Sequence, residues 1–91
     1  MKAIGKIRKK FYDKEYEFAI PHFFEEMADD DLELSDIERV IETGKIRRKF
    51  TDDPGGTRYE IVGRSYDERE VAVICKIKIT GKLLFITTYA I

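Results

Sequence analysis

The sequence predicts a small α+β domain: a curved antiparallel sheet, built as a meander, packed against short helices from the N-terminal half. Three observations predict it. Between residues 71 and 79, Val71, Val73, Cys75, Ile77 and Ile79 fall on alternate positions. Glu70, Lys76, Lys78 and Thr80 fall between them, with Ala72 and Ile74 as exceptions, which is the period of a strand with one buried face. Residues 83–91 are apolar in both registers and rich in β-branched and aromatic types, as a strand covered on both faces would be. The connections between runs 58–66, 70–80 and 83–91 are too short for crossovers, so these strands pair antiparallel.

Taken in order, Ile4, Ile7 and Phe11 recur at helical spacing with basic residues on the remaining faces, giving a basic amphipathic helix over 2–11. It lies on the sheet, or else meets a membrane surface or RNA. Tyr16, Phe18 and Ile20 alternate with Glu17 and Ala19, a short strand stopped by Pro21. Pro21 suits the first turn of a second helix, whose apolar side is Phe23, Phe24, Met27 and Ala28. Glu25 and Glu26 favour its start, whereas Asp29 and Asp30 oppose the dipole at its end, so it frays by Asp31. Ser35-Asp36-Ile37-Glu38 reads as a capping box for a third helix with Ile37, Val40 and Ile41 inward. Gly44 fits a left-handed position at its end. The cationic run 45–50 is an edge strand, Pro54-Gly55 a type II turn in a loop over 51–57, and Gly81 the punctuation of the last connection.

Ninety-one residues make one domain, with no repeat or internal boundary. A chain this short buries only about two thirds of its unfolded surface and needs nearly every large apolar residue it has. Its composition, 43% hydrophobic and 38% charged, is that of a globule and not of a disordered segment. The net charge of −1 gives no overall basic field to draw in nucleic acid, but the charges are segregated. Lys2, Lys6, Arg8, Lys9 and Lys10 open the chain, and Lys45, Arg47, Arg48 and Lys49 form a second block. Glu25, Glu26, Asp29, Asp30, Asp31 and Glu33 stand between them; each run reads as a solvated face or a binding surface. The lone Cys75 permits no internal disulfide and sits on the apolar register, as a buried small hydrophobe. Lys and Arg interrupt the N-terminal stretch, so it is neither a signal peptide nor a membrane span, and the expected location is cytoplasmic.

The residues exclude several chemistries. One Cys and one His make no zinc site, and no GxGxxG or GxxxxGK[ST] cradles a phosphate. Asp29, Asp30 and Asp31 are consecutive and splay apart on a helical turn, so neither a metal nor a cofactor is expected. His22 falls in a first helical turn, where the positive dipole favours the neutral imidazole a general base needs; packing or a local hydrogen bond is the plainer role. Tyr89 shares a register with Leu83, Phe85 and Thr87, so core packing is its plainer role beside a functional one. Arg58 and Arg64 flank the third strand, to hold a phosphate through paired hydrogen bonds or to form surface ion pairs.

His22 and Met27, the capped stretch 35–44, Asp52-Asp53-Pro54, Tyr59, Gly63-Arg64, Val73-Ile74-Cys75 and Ile86-Thr87-Thr88-Tyr89 occur in an order and spacing that resemble a family of small bacterial and archaeal domains of unknown function. The resemblance covers roughly 16–89 and leaves the basic N-terminal helix outside. That family in turn resembles the RelE- and BrnT-like toxins of toxin–antitoxin pairs, which cut RNA without a metal on a curved antiparallel sheet. The resemblance implies His22 as base or acid, Arg64 on the phosphate and Tyr89 as acid or orienter, with Arg58 as an addition. Lys45, Arg47, Arg48 and Lys49 would hold RNA. The chain departs from the family at Glu26 and Asp30, where cations are common, and at Glu68, where Gly is favoured. Two anions in place of two cations repel a phosphate backbone, and the loop at Glu68 is expected to take another shape.

Three functions are therefore expected. The foremost is a toxin-related, non-catalytic protein-binding module, which the acidic second helix and balanced charge favour. The alternatives are a metal-independent RNA endonuclease toxin and an RNA-binding protein that does not cleave. The expected partners are an antitoxin or other protein, RNA, or a second copy of the chain, and not a membrane.

Overall fold

The computed structural model describes residues 2–52 and 54–91. Its elements run α1 (Ala3–Tyr12), β1 (Tyr16–Phe18), α2 (His22–Asp29), α3 (Leu34–Thr43), β2 (Lys45–Phe50), β3 (Arg58–Arg64), β4 (Glu70–Ile77) and β5 (Leu83–Ala90). The strands form one sheet in the order β1-β5-β4-β3-β2. From β2 to β5 the pairs are antiparallel, the expected meander, and β2 takes the expected edge. β1 covers the other edge in parallel, with Tyr16 opposite Leu83 and Phe18 opposite Phe85.

The helices cover one face only. Ile7 from α1, Phe23 and Met27 from α2, and Ile37, Val40 and Ile41 from α3 meet Ile61, Val71, Val73, Cys75, Leu83 and Phe85 of the sheet. Val71, Val73 and Cys75 are alternating residues of β4, so the period of two was a sound guide there. Phe85 anchors an aromatic cluster, its ring 5.2 Å from Phe18 and 5.9 Å from Phe23. Each large side chain removed from water contributes about 1.5–3 kcal/mol.

Polar side chains fasten the helix ends. Arg8 of α1 donates from Nε to the Ile41 carbonyl and from Nη2 to the Gly44 carbonyl, both at 2.8 Å. A cation thus satisfies the open end of α3 and ties α1 to it. Arg69 donates to the carbonyls of Asp30 and Asp31, which offsets the unfavourable carboxylates at the end of α2.

Four local expectations are corrected. The cap of α3 is Glu33 and not Ser35: Asp36 Oδ2 accepts the Glu33 amide at 3.0 Å, while Asp36 Oδ1 accepts the Tyr66 amide at 2.9 Å. Asp36 so serves the helix and the β3–β4 turn together, which places the helix start one residue before Ser35. Pro21 stands at the cap position of α2, just outside the helix. Gly44 is extended, at φ −79° and ψ −178°, and not left-handed. A Cβ there would lie 2.4 Å from the Val40 carbonyl oxygen and 2.7 Å from that of Val62, so the glycine serves a close approach of helix to strand. Ile79 is fully exposed because β4 ends at Ile77 and the chain turns, with the Gly81 amide donating to the Lys78 carbonyl. Glu68 stands in the β3–β4 turn with a left-handed backbone, at φ +67°, which strains a residue with a Cβ. The expected turn around Pro54 includes Asp53, which lies outside the described residues.

Candidate functional site

The sheet face away from the helices gathers the charged residues, and two bulges decide which ones. Between β2 and β3 the register passes from Ile46 opposite Ile61 to Arg48 opposite Glu60, leaving Arg47 as an extra residue. Between β4 and β5 it passes from Cys75 opposite Phe85 to Ile74 opposite Thr87, leaving Ile86 extra. An extra residue breaks the alternation and re-aims the side chains beyond it. In β2 the result is that consecutive residues, Arg47 and Arg48, both reach Glu60. In β5 the buried position passes to Thr88, and Tyr89 joins the helix-free face opposite Ala72. This corrects the expectation that Tyr89 packs in the core with Leu83 and Phe85, and that β5 is covered on both faces by other elements.

These three side chains enclose one carboxylate. Glu60 is 1% exposed in the middle of β3. Arg47 Nε donates to its Oε1 at 2.7 Å and Arg48 Nε to the same oxygen at 3.3 Å. The Tyr89 hydroxyl donates to Oε2 at 2.7 Å. A carboxylate in the interior is tolerated only when paired and hydrogen-bonded. The Arg47 hydrogen bond foremost, then those of Tyr89 and Arg48, hold the Glu60 carboxyl down to about 2 against the opposing effect of burial. In return the bond to Glu60 raises the pKa of Arg47, and it raises that of Tyr89 with burial adding to it. The guanidinium side chains stay 40% and 60% exposed, and Arg48 lies 5.9 Å over the Phe50 ring. Each arginine spends Nε on Glu60, while its terminal nitrogens have no hydrogen-bond partner among the described residues.

The cluster sits within a wider basic field. In register on the same face are Lys45 beside Val62, Arg58 beside Lys76 and Phe50, and Arg64 beside Glu70. Lys78 pairs with Glu17 at the β1 side. The helix layer opposite exposes Glu25, Asp29, Glu38 and Glu42. A net charge of −1 therefore conceals a segregated molecule, with a basic sheet face, exposed carboxylates on α2 and α3, and the lysines of α1 beside them.

The structure does not bring all the sequence-derived candidates together. Tyr89, Arg47 and Arg48 converge on Glu60, with Arg58 and Lys45 on the same face. Lys49 takes the other register, opposite Tyr59. Arg64 donates to the Glu68 carbonyl at 3.0 Å, in the turn beyond β3. His22 belongs to the helix layer, where its Nε2 lies 3.2 Å from Glu26. Sequence reading missed Glu60. The available signal was a lone carboxylate between Tyr59 and Ile61, in a strand following a block of cations. Among the described residues no three His, Cys, Asp or Glu side chains group to hold a metal, and no helix is long and apolar enough to cross a membrane.

A family described as a domain of unknown function, DUF4258, matches residues 21–90. No curated protein and no solved structure matches the chain.

Proposed function

This chain belongs to the DUF4258 family, and from that premise we propose that it is a metal-independent RNA endonuclease of the RelE/BrnT-like kind, acting on single-stranded RNA laid across the helix-free sheet face. One observation carries the reading: a phenol and two half-exposed guanidiniums converge on one carboxylate, each within hydrogen-bond reach of it. Those are the base, the acid and the cations that internal transesterification of RNA requires.

In the resting site Glu60 is too well neutralised to be a strong base. A phosphodiester that engages the terminal nitrogens of Arg47 and Arg48 withdraws positive charge from Glu60 and raises its proton affinity. Glu60 then takes the 2′-hydroxyl proton, and the 2′-oxygen attacks phosphorus. The bond from phosphorus to the 5′-oxygen breaks, that oxygen takes the Tyr89 proton, and the other fragment ends in a 2′,3′-cyclic phosphate. The existing Glu60–Tyr89 hydrogen bond returns the captured proton to the phenolate, so one turnover restores the site. Arg58, Lys45 and Arg64 add affinity for the backbone, and His22 has no part in the chemistry.

The test is single-stranded RNA incubated with the protein in EDTA. The expected products end in 2′,3′-cyclic phosphate, Glu60→Gln and Tyr89→Phe each slow the reaction by about 10²-fold or more, and His22→Ala leaves it unchanged. Induced expression arrests bacterial growth, and Glu60→Gln relieves the arrest. Intact RNA, or cleavage indifferent to Glu60→Gln, overturns the reading. The low pKa of Glu60 favours a second reading, binding without cleavage, in which the carboxylate only aligns the arginines. That reading predicts affinity that falls steeply with salt and no new RNA ends.

A further inference from the structure

We infer that the helix side carries a separate docking pocket for one bulky apolar side chain of a partner protein's basic amphipathic helix. The pocket, of ≈ 140 Å³, is lined by Phe11, Tyr16, Phe18, Leu34, Ile37 and Glu38. Phe11, Tyr16 and Phe18 come from α1 and β1, outside the family-matched residues 21–90.

The apolar surface continues past the pocket. Leu34 is 48% exposed and Phe24 39%, and the Phe24 ring lies 5.0 Å from Phe18. In a chain short of apolar residues to bury, side chains of this size left half in water mark an interaction surface. An apolar cavity of roughly 150 Å³ accepts a benzene ring, so the pocket suits a single leucine or phenylalanine side chain.

Charge selects the occupant. Glu38 is the ionisable group of acidic kind in the lining, and Glu42 follows it one turn later on α3. Glu25 adjoins Phe24, with Asp29 a turn beyond on α2. The lysines of α1 are not part of this lining: Lys6, Lys9 and Lys10 line a different groove with Asp13 and Glu15. A second copy docked on the same patch would oppose carboxylate to carboxylate, which disfavours self-association. A helix with one apolar anchor and flanking Lys or Arg fits both the pocket and its rim. The site stands on the face opposite Glu60 and does not depend on the RNA reading.

The experiment titrates the isotope-labelled full chain with synthetic helical peptides of about five turns, and follows backbone amide shifts. One peptide carries a central Leu flanked by Lys, a second the same Leu flanked by Glu, and a third Ala in place of Leu with Lys flanks. The Lys–Leu peptide is expected to shift the amides around Leu34, Ile37 and Phe18, with the other two at least about tenfold weaker. Leu34→Arg, at a half-exposed position, removes the binding while the melting temperature holds. Shifts centred elsewhere, affinity that ignores the anchor or the flanking charge, or no binding by the Lys–Leu peptide overturns the inference. So does a concentration-dependent dimer in sedimentation that Leu34→Arg abolishes, since the occupant is then a second copy.

Discussion

Replacing Glu60 with glutamine tests the central cluster through its pH dependence. The folded carboxyl titrates at about 2, against 4.5 for the ordinary side chain, because Arg47, Tyr89 and Arg48 bond to the charged form. That fall corresponds to about 3 kcal/mol of stabilisation at neutral pH. Arg47 and Arg48 are 40% and 60% exposed, so solvent screening reduces the figure to about 1–2 kcal/mol. The sign follows from proton uptake. Between about pH 4.5 and 2 the unfolded chain binds the Glu60 proton and the folded chain does not, so acid favours unfolding. The contribution is complete above pH 4.5 and is lost as pH falls toward 2. Urea melts of the wild type and Glu60→Gln at steps from pH 7 to pH 2.5 read the difference. Glu17 and Asp67 also have lowered pKa values, but they titrate in both proteins and cancel in the comparison. The wild type is expected to exceed the variant by about 1–2 kcal/mol at pH 7, with the gap closing below pH 4.5. Parallel curves across the whole range would refute the reasoning, for they would mean that the folded carboxylate gains nothing from its three donors.

Burial pushes the Cys75 thiol up to about 12, so a thiol reagent at pH 8 is expected to label it only at the rate of unfolding, and rapid stoichiometric labelling of the native protein contradicts its place in the core. Gly44→Ala forces a Cβ against two carbonyl oxygens of the fixed backbone, and thermal or urea melts are expected to show a loss of about 1–3 kcal/mol. Glu68→Gly relieves a left-handed backbone and is expected to raise stability by up to about 1 kcal/mol, the released strain outweighing the flexibility that glycine adds to the unfolded chain. Arg8→Met keeps the aliphatic stem and removes both bonds to the end of α3; a loss of about 1–3 kcal/mol in the same melts measures that tie.

The fold class and element order were legible because they rest on local signals. Val71, Val73, Cys75 and Ile77 do lie on one buried face, and Ile37, Val40 and Ile41 do form the inward stripe of α3. The parallel pairing of β1 with β5 was not legible, since no local pattern encodes which distant edge a three-residue strand will cover. Gly44 was recognised as necessary for the wrong reason. Its sequence position fits a helix end, but what requires the missing side chain is the close approach of two carbonyls, that of Val40 in α3 and that of Val62 in β3. The α3 cap slipped for a similar cause: Asp36 is held by a turn thirty residues away, at the Tyr66 amide, and that contact decides where the helix begins.

The candidate site shows why parity is the weakest part of such a reading. Counting by twos along β5 puts Tyr89 beside Phe85, and counting along β2 puts Arg47 and Arg48 on opposite faces. Each count fails at one extra residue, Ile86 in β5 and Arg47 in β2. The two bulges are coupled through Glu60. A carboxylate facing the uncovered side of a central strand needs donors, and regular strands would offer it only one of the two arginines and no tyrosine. The bulges supply what regular pairing withholds, so that both guanidiniums and the phenol arrive at the same two oxygens. Pairing β5 without a bulge, with Ile86 opposite Ile74, would return Tyr89 to the helix side and Thr88 to the open face, and leave Glu60 without the phenol. The carboxylate and the bulges therefore specify each other, and a buried acid in the middle of an alternating strand is a reason to expect a break in the alternation of its neighbours.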